Sequence, residues 1–267
     1  MGREAPAQGG GAGRLMTDLL ALPPATAWLA VAACVAAGAI RGFAGFGLSA
    51  LAMAMLAALI PPVELIPVFW FLEMSASLAL MKGGWADAER ATAATLVVAS
   101  GVGLPLGLLV SLSIDAGTSK TIALLVLIVL ATAQLARLRL PALATRPGTA
   151  VTGLGAGVIT GLAGAGGLFI ALYAMVRNLP ARTMRGTLNI YMLGAGLAGL
   201  LTHLIVGTMT GTAATRGLVL VVPTLAGVAL GRALFTPRFE TYYKPACLTL
   251  LIGLALAGLA RLALEAP

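Results

Sequence analysis

Two charged residues and two clusters of small ones stand where this chain could do chemistry. Arg41 lies within GAIRGFAGFGLS (Gly38–Ser49) and Glu73 within FWFLEMSAS, each inside a long apolar segment. A guanidinium or carboxylate at membrane depth is expensive and needs a partner, water or a ligand. For Arg41 the options are a substrate anion, a counter-ion, or snorkelling to an interface. For Glu73 they are a proton-coupling carboxylate or charge pairing with Arg41. The glycines around Arg41 recur in GVITGLAGAGGL (Gly157–Leu168). At an offset of 119, Gly38, Gly42, Ala44, Gly45 and Gly47 meet Gly157, Gly161, Ala163, Gly164 and Gly166.

A helix broken at glycines exposes unpaired N–H groups at the start of its second half, and with the helix dipole these favour an anion. Gly42, Gly45, Gly47 and Ser49 would form one half of such a cradle. Thr160, Gly161, Gly164, Gly166 and Gly167 would form the other. The competing use of the same glycines is close helix packing, common among small residues in membranes. The same offset sets Asn189 opposite Trp70 and Met192 opposite Glu73. Asn189 is therefore a candidate polar contact from the equivalent helix, or a hydrogen bond between helices.

The elements that carry these residues follow from composition. The 267 residues are 60% hydrophobic and 10% charged, with a mean hydropathy of +1.01. No soluble domain can cover its surface that way, and apolar runs of about 20 residues recur from residue 27 onward. The chain is expected to be an all-α polytopic membrane protein. Residues 27 to 60 would run to roughly 50 Å as one straight helix, against a hydrocarbon core of roughly 30 Å. Something must bend, and the glycines sit near the middle. Further spans are expected at 64–81, 91–112, 119–137, 186–206, 214–234 and 243–263. Gly103 and Gly107 are echoed by Gly227 and Gly231 at an offset of 124. The chain thus divides into a flexible tail (1–26, with no signal-peptide cleavage expected), a first membrane repeat (27–137), a basic linker (138–148) and a second repeat (149–267).

Charge bears on topology. The net charge is +8, but Lys and Arg sit in short loops where they orient a membrane protein, which argues against nucleic acid. If each glycine segment simply crossed the membrane, the basic bias would reverse in the second half. Arg177, Arg182, Arg185, Arg232, Arg238 and Lys244 would then lie opposite the linker's Arg137, Arg139 and Arg146. The bias is uniform if residues 149 to 176 enter and leave on one face, as a re-entrant hairpin. Each repeat then holds one hairpin and three spans, so the two repeats are inverted and the linker is cytoplasmic. Arg3 and Arg14 become external, partly offset by Glu4 and Asp18.

Other chemistries find little support. No HExxH, GxSxG or GK[ST] motif occurs, no metal spacing involves Cys34, Cys247 or His203, and neither enzyme activity nor a cofactor is expected. His203 is read as an interfacial residue, Arg182 and Arg185 as loop anchors, and Trp28, Trp70 and Trp85 as an aromatic belt.

The paired segments GAIRGFAGFGLSAL and GVITGLAGAGGLFIALY, with LEMSASLAL, GLPLGLLV and LPARTMRGTLNIY, resemble the TauE/SafE-type sulfite exporter family (TSUP) over nearly the whole chain after residue 25. Phe46 and Leu48 flank Gly47 where many relatives carry further glycine. The resemblance implies a multi-pass permease of a bacterial or archaeal inner membrane. Its cargo would be sulfite, sulfonates, related organic sulfur compounds or carboxylates, moved without ATP hydrolysis. The partners expected are a small anion and the lipid bilayer, with a homodimer left open. The alternatives are a non-transporting membrane scaffold, whose glycines serve packing alone, and an anion channel.

Overall fold

The computed structural model describes residues 11–81, 88–177, 179–234 and 240–265. Among them are eleven α-helices and one 3-10 turn. They are α1 (Gly11–Leu20), α2 (Pro24–Ala44), α3 (Leu48–Leu56), α4 (Pro62–Leu80), α5 (Arg90–Ser113) and α6 (Ala116–Leu135). The turn Pro141–Ala144 leads to α7 (Arg146–Ala163), α8 (Gly166–Arg177), α9 (Ala181–Val206), α10 (Gly211–Ala233) and α11 (Glu240–Glu265). Seven of these helices are long and apolar enough to cross a membrane. Their outward faces carry large apolar residues, as Val98, Val102, Leu106 and Leu109 do on α5. This is an all-α, multi-pass membrane protein. Prolines set several starts: Pro24 and Pro62 occupy the first helical turn, where the missing N–H costs nothing. Lys82, Trp85, Asp87 and Arg238 lie outside the described residues.

Two glycine seams hold the bundle together, and both join helices from different halves of the chain. Helix α2 packs on α10 and α5 on α7, while α4 meets α9 and α6 meets α11. A Cβ at Gly38 or Gly42 would collide with the backbone of Thr224 or Val228, and one at Gly227 or Gly231 with that of Val35 or Ala39. In the other seam Gly157 and Gly161 press on Ser100, Leu104, Gly107 and Leu108, and Gly103 and Gly107 on Leu154 and Val158. The contacted residues correspond at the same offsets: Thr224 and Val228 to Ser100 and Leu104, Leu154 and Val158 to Val35 and Ala39. Side chains at these positions would push the backbones apart, and in lipid close contact is the chief attraction between helices.

Helix α8 doubles back along α7. Gly166 lies beside Thr160 and Ala156, and Phe169 beside Gly155. The Tyr173 hydroxyl meets Thr149 Oγ1 at 3.0 Å, and Arg177 donates to the Ala144 carbonyl at 3.4 Å. One index rises as the other falls, so the end of α8 returns to the start of α7. At that end Arg177 pairs with Glu89, and the Glu89 N–H donates to Thr187 Oγ1 at 2.9 Å.

At another corner Arg216 of α10 donates to the Leu20 carbonyl at 2.7 Å and the Ala21 carbonyl at 3.2 Å, and pairs with Glu64 of α4 at 2.9 Å. Residues 11–20 are therefore a helix held to the bundle and not part of a flexible tail. Leu20 is fully buried, and a cation at the C-terminus of α1 takes its last carbonyls.

Candidate functional site

Both expected breaks are present and leave their first helix in the same way. The Gly45 N–H donates to the Arg41 carbonyl at 2.9 Å, with φ 80°. The Gly164 N–H donates to the Thr160 carbonyl at 2.8 Å, with φ 63°. Each glycine is a left-handed C-cap, a conformation that costs a residue with a Cβ about 1–2 kcal/mol.

Beyond the turn the breaks diverge. At the first, Glu73 reaches from α4 to the start of α3. Its Oε1 accepts from the Ser49 N–H at 3.2 Å and the Ser49 hydroxyl at 2.8 Å, acting as an N-terminal cap supplied by another helix. Arg41, only 3% exposed, stands behind it. The guanidinium donates to the Gly45 carbonyl and to Ser77 Oγ at 3.0 Å, and lies 3.7 Å from Glu73 Oε2. Arg41 and Glu73 are thus a charge pair with the guanidinium buried and the carboxylate partly exposed, and pairing makes such charges tolerable.

At the second break the residue at Glu73's place is Met192, whose methyl group lies close to Gly167. The first turn of α8 opens with Gly166 and Gly167, and among the described residues no carboxylate hydrogen-bonds to it. Gln134 of α6 fixes the hairpin from outside, donating to the Leu168 carbonyl at 2.7 Å.

A cavity of about 120 Å³ lies between the breaks. Ser49, Glu73, Ser77, Thr160, Gly164, Gly166 and Gly167 form its polar side, with Tyr191 and His203. Ile66, Phe69, Trp70, Met74, Leu104 and Met192 supply an apolar wall. The structure therefore brings Ser49, Glu73, Thr160, Gly164, Gly166 and Gly167 to one cavity. Arg41 sits one layer behind, reaching the cavity through Glu73 and Ser77. Gly42 and Gly161 belong to the two packing seams. Gly45 shapes the first turn, and Gly47 faces a smaller apolar void with Ile40, Phe46 and Leu168. Asn189 lies on α9, half-buried and outside the cavity wall.

Three wall residues had other roles, or none, in the sequence reading. Trp70, expected in an interfacial belt, donates its Nε1–H to the Gly196 carbonyl at 2.7 Å and ties α4 to α9 across the cavity. His203, near the end of α9, lies 2.8 Å from Thr208 Oγ1 through Nδ1 and also lines the wall. Ser77 went unread, although its position four residues after Glu73 puts both on one helix face.

Among the described residues no three His, Cys, Asp or Glu side chains cluster as metal ligands. No curated protein and no solved structure matches this chain. A family model described as "Sulfite exporter TauE/SafE" matches residues 30–258, spanning both breaks, both seams and the cavity between them. The chain belongs to the TauE/SafE sulfite exporter family.

Proposed function

We propose that the chain is a secondary transporter of a small anion, of the sulfite, sulfonate or related organic sulfur class, bound in the cavity between the two broken helices. One observation carries this reading. The second break presents the first turn of α8, with Gly166 and Gly167, to a cavity of about 120 Å³ in which the residue equivalent to Glu73 is the uncharged Met192. Unpaired N–H groups and the positive end of the helix dipole favour an anion there. Thr160 and Ser49 also line the cavity, their hydroxyl protons given to the Ala156 carbonyl and to Glu73. The Phe69, Trp70, Met74 and Met192 wall suits the apolar part of an organic sulfonate as well as a bare oxyanion.

Two inverted repeats support alternating access to such a site. The exchanged seams, related by constant offsets, favour that arrangement, and the return of α8 along α7 favours a re-entrant hairpin. The end carrying Ala144, Arg177 and Glu89 would be cytoplasmic, in a bacterial inner membrane. A homodimer is compatible with this scheme.

The scaffold alternative draws on the eight glycines committed to the seams, and it predicts no response to small anions. The test is a thermal-shift panel of sulfite, sulfonates, thiosulfate and carboxylates, followed by flux in proteoliposomes. Transport predicts saturable flux that Gly164→Leu abolishes. Unchanged flux in Gly164→Leu and Arg41→Ala would sink the site, and absence of both stabilisation and flux would leave the scaffold.

A further inference from the structure

The cavity holds an acid on the side where a transported anion would look for donors, and one oxygen of that acid is engaged. Glu73 Oε1 takes both the N–H and the hydroxyl of Ser49. Its Oε2 is buried, has no hydrogen-bond partner among the described residues, and faces Arg41 at 3.7 Å. Arg41 is 3% exposed, and its Nε likewise has no hydrogen-bond partner among the described residues. A buried guanidinium and the N-terminus of α3 with the Ser49 hydroxyl thus gather around one carboxylate, and Ser77 Oγ accepts from the same guanidinium. Those are the groups that bind free oxyanions elsewhere.

We propose that the first break is a second oxyanion position, held in this structure by the tethered carboxylate of Glu73, and that a free small oxyanion takes it when Glu73 loses its charge. Only the identity of that oxyanion as the transported sulfur anion rests on the transport reading.

The charge balance sets the order of events. With Glu73 ionised, Arg41 and Glu73 cancel, and an added anion would bury an uncompensated charge. With the Glu73 charge removed, Arg41 balances the incoming anion in its place. The other groups around Glu73 are Ser49 of α3, Thr160 of α7, and Tyr191 and His203 of α9, which line the same cavity, with Ser77 on its own helix. Arg41 of α2 carries the permanent charge among them.

Chemical rescue tests the position without any need for flux. The full chain is purified as wild type, Glu73→Ala and Glu73→Ala/Arg41→Gln, and melted at pH 7.5 in sodium formate or in sodium chloride of equal ionic strength. Formate is expected to raise the Tm of Glu73→Ala by roughly 2–4 °C more than that of the wild type. The double variant loses the increment. Equal formate shifts in wild type and Glu73→Ala overturn the proposal, as does an increment that survives in the double variant. Should Glu73→Ala fail to fold, Glu73→Gln keeps the shape without the charge. Its formate response must then exceed that of the wild type, and equality overturns the proposal. The wild-type shift reports the α8 site and the difference reports the first break, so the two readings fail separately.

Discussion

The two breaks share a turn and differ in what guards the helix that follows. Gly45 and Gly164 end α2 and α7 with the same left-handed cap at equivalent positions. After that the first break supplies its own anion, Glu73, with Arg41 as counter-charge. The second has Met192 and glycines at the cavity wall. A repeated backbone thus carries two different chemistries. One N-terminus is capped by a carboxylate of the protein, and among the described residues no carboxylate caps the other. The difference comes from side chains outside the repeated glycine motif.

The largest effects should come from the parts the halves share. Gly42→Leu and Gly161→Leu each drive a side chain into the backbone of the facing helix, Val228 in one seam and Leu104 to Leu108 in the other. Both should cost more than about 3 kcal/mol and yield no monodisperse protein by size-exclusion chromatography. Tolerance of one but not the other would show that the seams are unequal.

The next test separates the breaks. Arg41→Gln leaves the Glu73 carboxylate uncompensated and should destabilise by about 3–5 kcal/mol in a chemical melt. Met192→Gln, at the equivalent of Glu73, should cost less than about 1.5 kcal/mol. Met192→Glu is more informative, because it gives α8 a tethered anion of its own. It should remove the stabilisation by sulfite or sulfonate in a thermal-shift assay, and an unaltered response would separate the ligand from α8.

Smaller effects are expected at the turns. Gly45→Ala and Gly164→Ala each force a Cβ into left-handed backbone, about 1–2 kcal/mol apiece. A Cβ at Gly45 meets open space, whereas one at Gly164 lies 3.2 Å from Phe69 and 3.3 Å from Met53. Only Gly164→Ala should therefore also weaken anion binding, read as a higher Kd in a titration.

The smallest change belongs to Asp115, a carboxylate capping a helix at the protein surface. It accepts from the Thr118 N–H at 2.9 Å and from the Thr118 hydroxyl at 2.6 Å. Those bonds, the hydroxyl's first, hold its carboxyl below the usual range. Its contribution is present above the unfolded value of about 4 and fades as pH falls through the folded one. Asp115→Asn should barely shift Tm at pH 7, in contrast to Glu73→Gln. A comparable shift would mean that burial adds nothing to the Glu73 cap.

Much of this was legible in the chain. The offset of 119 located both turns, segment length required a bend, and the cost of isolated charges in lipid made Arg41 and Glu73 one candidate pair beside a substrate anion, snorkelling or proton coupling. Packing and breaking are rival explanations for one glycine cluster in the sequence. The structure divides them by position. Gly38, Gly42, Gly157 and Gly161 lie on helix faces in the seams, and Gly45, Gly47 and Gly164 have left-handed φ. Nothing in a single sequence could assign them, because the partners of the first group are some 180 residues away in one seam and some 50 in the other. The attachment of α1 depends on Arg216, nearly 200 residues along the chain, so no local pattern points to it.

By itself the sequence determined that the chain crosses a membrane, that a glycine motif recurs at a fixed offset, that two helices break, and which family it belongs to. These follow from hydropathy, spacing and motif, all local along the chain. The tertiary structure alone decided which glycines pack and which turn, that Glu73 rather than a free anion caps α3, and that Ser77, Trp70 and His203 share a cavity with both breaks. Those outcomes depend on which helix faces meet, and close packing across the two halves sets that.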